Sequence, residues 1–283
     1  MIANTIDLLK KAQKGGYALG AFNIYNLEGL SAVINAAEEL SSPVMVQLHP
    51  ISMEWNQNRL IPACLAAAEA STVPVSIHLD HSQSISAIDT ALKKGITSIM
   101  ADGSDLPFEE NLVFTKSIVD KANAFNAQVE GEFGKLAGEE DGLAVEEYEA
   151  KMTNPDLAEE YVQKTGVSSL AVCIGNVHGK YANEPNLDFE RLENIGKNVD
   201  LPLVLHGASG IPEAMVKKAI ALGVCKFNVN TEVRGAYMAA INKVLQNSIK
   251  PDVMPIIQLA LKEMTEVIKQ KIILFNSDGK ASK

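Results

Sequence analysis

Residues 73–102 read VPVSIHLDHSQSISAIDTALKKGITSIMAD, and this stretch decides the fold. Residues 73–80 form a nearly continuous apolar run, as expected for a strand covered on both faces. Residues 85–94 have the apolar spacing of a helix. Gly95 follows Lys94, where a helix end calls for a left-handed residue. Residues 98–102, SIMAD, open the next strand. The unit is strand, helix, strand, and its first strand ends in Asp80 and His81, two side chains capable of chemistry.

Working outward, the unit recurs. Strands are expected at 17–24, 43–49, 73–80, 98–102, 128–134, 169–175, 202–206 and 226–230. Helices are expected between them at 27–40, 59–70, 85–94, 109–125, 156–165, 188–199 and 212–222, with Gly166 and Gly223 repeating the glycine stop. Eight strand–helix units within ~250 residues place the chain in the α/β class as a single-domain (β/α)8 TIM barrel. A doubly wound open sheet is the alternative. Residues 134–153, GKLAGEEDGLAVEEYEAKMT, break the rhythm after the fifth strand. A long segment at that end of a barrel strand is expected to be a mobile active-site loop. Residues 254–275 form a C-terminal helical arm, and nothing in 1–283 divides the chain into two domains.

The composition narrows the function. The chain has 283 residues, 47% hydrophobic and 21% charged, which excludes wholesale disorder. Its formal net charge is −10 with no basic stripe, which argues against nucleic acid as a partner. A small phosphorylated substrate remains compatible, because backbone N–H groups can hold phosphate. No apolar run has the length of a membrane span. The opening MIANTIDLLKKAQKGG does not read as a secretory signal. Cys64, Cys173 and Cys225 fit neither a Cys-based zinc site nor a disulfide framework. They are expected to be buried thiols in a cytoplasmic protein.

Four of the five histidines, His49, His81, His178 and His206, fall at or just beyond the ends of the second, third, sixth and seventh expected strands. In a barrel these ends converge on the face that carries active sites. Three neutral imidazoles with an open position make a catalytic zinc site, and His81, His178 and His206 are the candidates. His78 is expected to pack inside the barrel, on the same side of its strand as Asp80. Asp80, at a strand end beside a metal ligand, is placed for general acid/base work.

At these residues the sequence resembles the class II, zinc-dependent ketose-bisphosphate aldolases of the fructose- and tagatose-bisphosphate type. The resemblance rests on HLDHS (78–82), ADGSDLPFEEN (101–111), VEGEFG (129–134), AGEEDG (137–142), GNVHGKY (175–181), PLVLHGASGIP (202–212) and KFNVNTE (226–232), in the family's order. It implies that Asp80 moves the proton of the substrate's C4 hydroxyl and that His81, His178 and His206 bind Zn2+. It implies that Glu140 exchanges a proton with the enediolate carbon, and that Glu132 is a carboxylate beside the metal or an alternate ligand. Gly179, Gly207, Ala208 and Ser209, with Asn228, Val229, Asn230 and Thr231, match the segments that bind dihydroxyacetone phosphate. Some relatives bind Na+ or K+ near the phosphate, so a monovalent cation is a second expected ligand. The resemblance also implies a homodimer or homotetramer.

One stretch departs from the family. Many fructose-bisphosphate relatives carry KMREFGS, whose arginine reaches the distal phosphate across a subunit boundary. Here the stretch is KIILFNS, 271–277, with Ile273 in the arginine's place. Isoleucine makes no charge-assisted bond to phosphate. The expected function is a lyase, a zinc aldolase that cleaves a ketose bisphosphate to dihydroxyacetone phosphate and an aldehyde such as glyceraldehyde 3-phosphate. The alternatives are a same-family aldolase for a ketose phosphate lacking the distal phosphate, a metal-dependent barrel of another reaction, and a non-catalytic zinc-binding barrel.

Overall fold

The computed structural model describes residues 1–134, 152–179, 184–247, 250 and 252–281, and the backbone alone of 137–140 and 143–145. Eight parallel strands close into a barrel: β1 (Leu19–Asn23), β2 (Val44–Leu48), β3 (Val75–Ser82), β4 (Ser98–Asp102), β5 (Gln128–Phe133), β8 (Ser169–Val172), β10 (Leu203–Leu205) and β11 (Val224–Val229). β11 pairs with β1 to complete the ring, so the open-sheet alternative is excluded. Every residue of β1, β2 and β4 is buried, as strands with helices outside and side chains inside must be.

The helices follow from their ends. Asn26, Ser84 and Asn154 accept backbone N–H groups at the starts of α2 (Leu27–Glu39), α5 (Ile85–Lys93) and α7 (Pro155–Thr165). Gly95, Gly166 and Gly223 have φ of 97°, 72° and 103°, the left-handed conformation that their places after helix ends require. The remaining helices on the barrel wall are α4 (Leu60–Ala70), α6 (Phe108–Asn123), α8 (Phe189–Asn198) and α9 (Glu213–Ala221).

Several elements were not expected from the sequence. α1 (Thr5–Gly15) packs Leu8, Leu9 and Ala12 against Leu19, Ala21, Met45 and Cys225, in a cluster beneath the barrel. α3 (Pro50–Trp55) follows β2, and α10 (Thr231–Asn247) precedes α11 (Val253–Leu274). Within 134–153 the chain forms β6 (Ala137–Glu140) and β7 (Leu143–Val145), which pair antiparallel. β6 also pairs in parallel with β9 (Val177–His178), matching Gly138 to His178. The remainder of that loop lies outside the described residues, as do Lys180 and Tyr181 of the GNVHGKY motif.

Residues 275–277 are fastened at the N-terminal side of the barrel. The Phe275 carbonyl accepts from Ala18 N at 3.0 Å, just before β1, and Ser277 Oγ meets Ser42 Oγ at 3.1 Å, just before β2. Phe275 stacks on Phe227, with centroids 4.8 Å apart and planes at 13°. At the other end of the stretch 271–277, Lys271 pairs with Glu232 in the first turn of α10 at 2.5 Å, and Ile273 is exposed.

Candidate active site

Local irregularity in β3 builds the first part of the site. Leu79 pairs with Ile99, but Ser82 pairs with Ala101, so β3 spends one residue more than β4 over this step. The extra residue is a bulge, and His81 sits in it with φ 41°, a conformation that costs a non-glycine residue energy. Neighbours on a regular strand point to opposite faces. The bulge lets Asp80 and His81 serve the same chamber: Asp80 reaches the ends of β1 and β11, while His81 stacks edge-on against His206, centroids 4.6 Å apart.

The three expected metal ligands meet. Side-chain nitrogens of His81, His178 and His206 lie within 4.8 Å of one another, and an oxygen each from Asp102 and Glu132 lies equally close to His81. Each imidazole ends a different strand: β3, β9 and β10. Gly207, with φ 64°, explains how the last two come together. A Cβ there would stand 1.9 Å from the Val177 carbonyl oxygen, so only glycine lets the β9 backbone pass this close to the end of β10.

Buried carboxylates orient two of the rings. His81 Nδ1 is 2.8 Å from Asp102 Oδ2, and Asp102 Oδ1 accepts from the Ser104 N–H and hydroxyl. His206 Nε2 is 2.9 Å from Glu130 Oε1, and Lys226 Nζ bonds both oxygens of Glu130 at 3.0 and 2.8 Å. Among the described residues, the other nitrogens, His81 Nε2 and His206 Nδ1, are buried with no hydrogen-bond partner, as is Glu132 Oε1. Buried polar atoms are rarely left so. Imidazoles with one nitrogen bonded to a carboxylate and the other bare have the form of metal ligands with their orienting partners. The donor set, two or three imidazoles with a carboxylate in reserve, suits Zn2+.

The charges agree. Burial pushes the Glu132 carboxyl up, and Asp102 pushes it further, so it titrates well above its ordinary range. Burial also acts to raise Asp80, but the positive charge of His81 and Lys226 outweighs it and holds Asp80 below the usual carboxylate range. Asp80 is 2% exposed and receives Asn23 Nδ2 at 2.8 Å on one oxygen and Asn228 Nδ2 at 3.0 Å on the other. It is an ionised carboxylate held from two sides.

The substrate-binding candidates divide. Gly179 (φ 83°) follows His178 directly, and Gly207, Ala208 and Ser209 follow β10. Asn228 and Val229 end β11, and Asn230 and Thr231 lead into α10. Val229 is buried in the apolar core, so only its backbone can face a substrate. Ala208 N–H donates to the Asn228 carbonyl at 3.3 Å and Gly210 N–H to Glu232 at 2.9 Å, so part of this glycine segment is committed within the protein. The Glu140 backbone lies in β6, and its side chain is outside the described residues. His49, left aside by the sequence, caps α3 at the rim, and His78 Nδ1 bonds Ser98 Oγ inside the barrel.

Sequence reasoning missed Asn23, Gln47, Asp102, Glu130 and Lys226. Each is a polar residue inside a run that otherwise reads as buried strand, which is the signal available. Gln47 is fully buried, and among the described residues neither its side-chain nitrogen nor its oxygen has a partner. It is paired in register with Asn23 and His78. Asn23 Oδ1 and Asn228 Oδ1 are likewise unpartnered. These atoms lie inside the barrel with hydrogen-bonding capacity unused among the described residues.

Comparison with known proteins agrees with this geometry. The family model for fructose-bisphosphate aldolase class-II matches residues 3–280. The chain is similar to the YdjI aldolase from Escherichia coli K12, with 36% identity, TM-score 0.87 and 100% of both chains covered. It is also similar to a Coccidioides immitis protein provisionally described as a fructose-1,6-biphosphate aldolase, with 34% identity, TM-score 0.92 and 98% of each chain covered. A fructose-bisphosphate aldolase from Campylobacter jejuni, 22% identical with TM-score 0.82, covers 99% of this chain and 97% of its own and shares the fold. Barrel, site and family match converge: this chain belongs to the class II fructose-bisphosphate aldolase family and is an aldolase, a lyase.

Proposed function

We propose that this protein is a zinc-dependent aldolase that reversibly cleaves a phosphorylated ketose of the fructose or tagatose 1,6-bisphosphate type into dihydroxyacetone phosphate and an aldehyde such as glyceraldehyde 3-phosphate. The observation that carries the reading is the cluster of His81, His178 and His206 with two bare, buried ring nitrogens, set beside an ionised Asp80. These histidines would hold Zn2+, with Glu132 in reserve, and the bound metal would supply Lewis-acid stabilisation of negative charge on the substrate oxygens. A monovalent cation, a dimeric or tetrameric assembly and a cytoplasmic setting belong to the same reading.

Asp80 takes the proton from the C4 hydroxyl as the C3–C4 bond breaks and C4 becomes a carbonyl. Asn23 and Asn228 hold both carboxylate oxygens, so the accepting lone pair is oriented before substrate arrives. The electron pair left on C3 is protonated by Glu140. Its strand β6 is paired with β9 at Gly138–His178, so Glu140 is carried on a strand tied to the backbone of one of the three histidines. The segments 207–209 and 228–231, with Gly179, receive the phosphate of dihydroxyacetone phosphate, as barrels often do after their last strands.

The experiment is exchange of a C3 proton of dihydroxyacetone phosphate in heavy water, followed by NMR on zinc-loaded and chelator-treated protein. Zinc-dependent exchange is expected. Glu140→Gln should abolish it, whereas Asp80→Asn should lower cleavage by about 10²–10⁴-fold and exchange far less, because Asp80 acts at C4. Absence of exchange with zinc bound would overturn the reading.

A further inference from the structure

The segment after β10 is held in one shape by the helix that follows β11. Ile211 N–H donates to the Ala208 carbonyl at 3.3 Å, which closes a turn over 208–211, and Gly210 has φ 89° at its third position. A positive φ there marks a type II turn, whose central peptide is flipped relative to type I. In this turn the central peptide is Ser209–Gly210. Its N–H donates to Glu232 Oε1 at 2.9 Å, so the carboxylate fixes which way the peptide faces. Glu232 lies in the first turn of α10. An acid at that place is ordinary for the helix dipole alone, but this one bonds across to the end of a neighbouring strand, 22 residues away. A second bond runs the same way. Ala208 N–H donates to the Asn228 carbonyl at 3.3 Å, and the Asn228 amide holds Asp80. The turn is thereby registered twice, against β11 and against α10, and through Asn228 it is registered against Asp80.

We infer that Glu232, backed by Lys271, is a positioning residue for the phosphate of dihydroxyacetone phosphate: it sets the Ser209–Gly210 peptide so that the donors of the turn meet the phosphate at a fixed distance from Asp80. The inference rests on the aldolase reading above, which puts that phosphate at 207–209. Ser209 is 6% exposed, and among the described residues neither its N–H nor its hydroxyl is engaged. Without the bond to Glu232 the turn would sample both types, and its donors would move with it. Lys271 answers the charge. A carboxylate behind a phosphate segment repels the phosphate. Lys271, buried near the end of α11, meets Glu232 Oε2 at 2.5 Å, so one carboxylate oxygen takes the ammonium while the other takes the Gly210 N–H. The lysine is itself placed by the barrel. One helical turn on, Phe275 N–H donates to the Lys271 carbonyl at 2.9 Å, and the Phe275 ring stacks on Phe227 of β11. The stretch 271–277 thus reaches the proposed phosphate segment through its lysine, without an arginine.

The test follows C3-proton exchange of dihydroxyacetone phosphate together with binding of inorganic phosphate, titrated by phosphorus NMR on the same zinc-loaded protein. Glu232→Ala should raise the KM for dihydroxyacetone phosphate and the Kd for inorganic phosphate together, each about tenfold, with little change in the kcat of exchange. Glu232→Gln keeps a carbonyl oxygen for the Gly210 N–H and should recover most of that loss. Lys271→Met should also raise both constants, because it leaves a bare carboxylate behind the phosphate. Adding Glu232→Gln to Lys271→Met should bring both back towards wild type. General damage to the barrel would lower kcat and zinc affinity, and a second substitution would not repair it. Glu232→Ala with both constants close to wild type, or a Lys271→Met defect that Glu232→Gln leaves in place, overturns this inference while zinc-dependent exchange still stands. A wild type that binds phosphate in a Glu232-dependent way but exchanges no proton with zinc bound would condemn the aldolase reading instead.

Discussion

At the scale of single residues, the site depends on side chains that never touch substrate. Asp102 fixes the His81 ring, and Glu130, neutralised by Lys226, fixes His206. Each leaves one imidazole nitrogen bare, the nitrogen that a metal would take. Removing such a partner typically costs 10–100-fold in metal affinity. Asp102→Asn should therefore weaken zinc by about that factor, measured by competition with a chromophoric chelator. Affinity within twofold of wild type would show that Asp102 does not orient the ring. His81, His178, His206 and Asp80 stood out in the sequence because they are chemically conspicuous at strand ends. Asp102 and Glu130 did not, because an acid in a β-type run is equally a surface residue until the opposite strand is placed.

At the scale of elements, two devices assemble the centre: the bulge in β3 and the contact between β9 and the end of β10. The second depends on Gly207, where an added Cβ would collide with backbone that cannot swing aside. Gly207→Ala should push β9 away and take His178 with it. The expected result is a drop in zinc affinity of at least tenfold with the far-UV circular dichroism of a folded barrel. Unchanged affinity would mean that β10 can yield instead. The sequence showed the glycine but not its reason, since turn chemistry and close approach look alike along one chain. It likewise read 134–153 as a loop, because the β6–β9 pairing joins residues about forty positions apart and leaves no local pattern.

At the scale of the molecule, the barrel closes over its own core, with α1 packed beneath it, so the fold does not depend on metal. Chelated protein should keep its secondary structure and melt at a lower temperature, because zinc binds the folded state alone. The chelated form should also lose stability as pH falls from 6.5 towards 4. Burial first, then Lys226, lowers His78 to about 3, and burial first, then His81, lowers His206 to about 4. Between those values and 6.5 the unfolded chain binds more protons than the folded one, so acid favours unfolding. His81, which Asp80 and Asp102 raise well above 6.5 against the effect of burial, is protonated in both states here and adds no slope, whereas Glu132, raised by burial and then by Asp102, opposes it. His78→Gln isolates one group: between pH 6.5 and 5 its slope should be shallower than wild type by up to about 1.4 kcal/mol per pH unit. Chemical unfolding across that range checks it, and parallel slopes would refute it.

By itself, the sequence determined the strand–helix alternation, the barrel class and the ends at which the reactive side chains stand. These follow from local periodicity and glycine stops, which are written within a dozen residues of each other. Only the tertiary structure decided which nitrogens of His81 and His206 are bare among the described residues, how Asp80 and His81 share one chamber, and which buried carboxylates stand behind the imidazoles. Those facts depend on contacts between segments 20 to 200 residues apart, whose register and bulges are set by closure of the whole barrel rather than by any one strand.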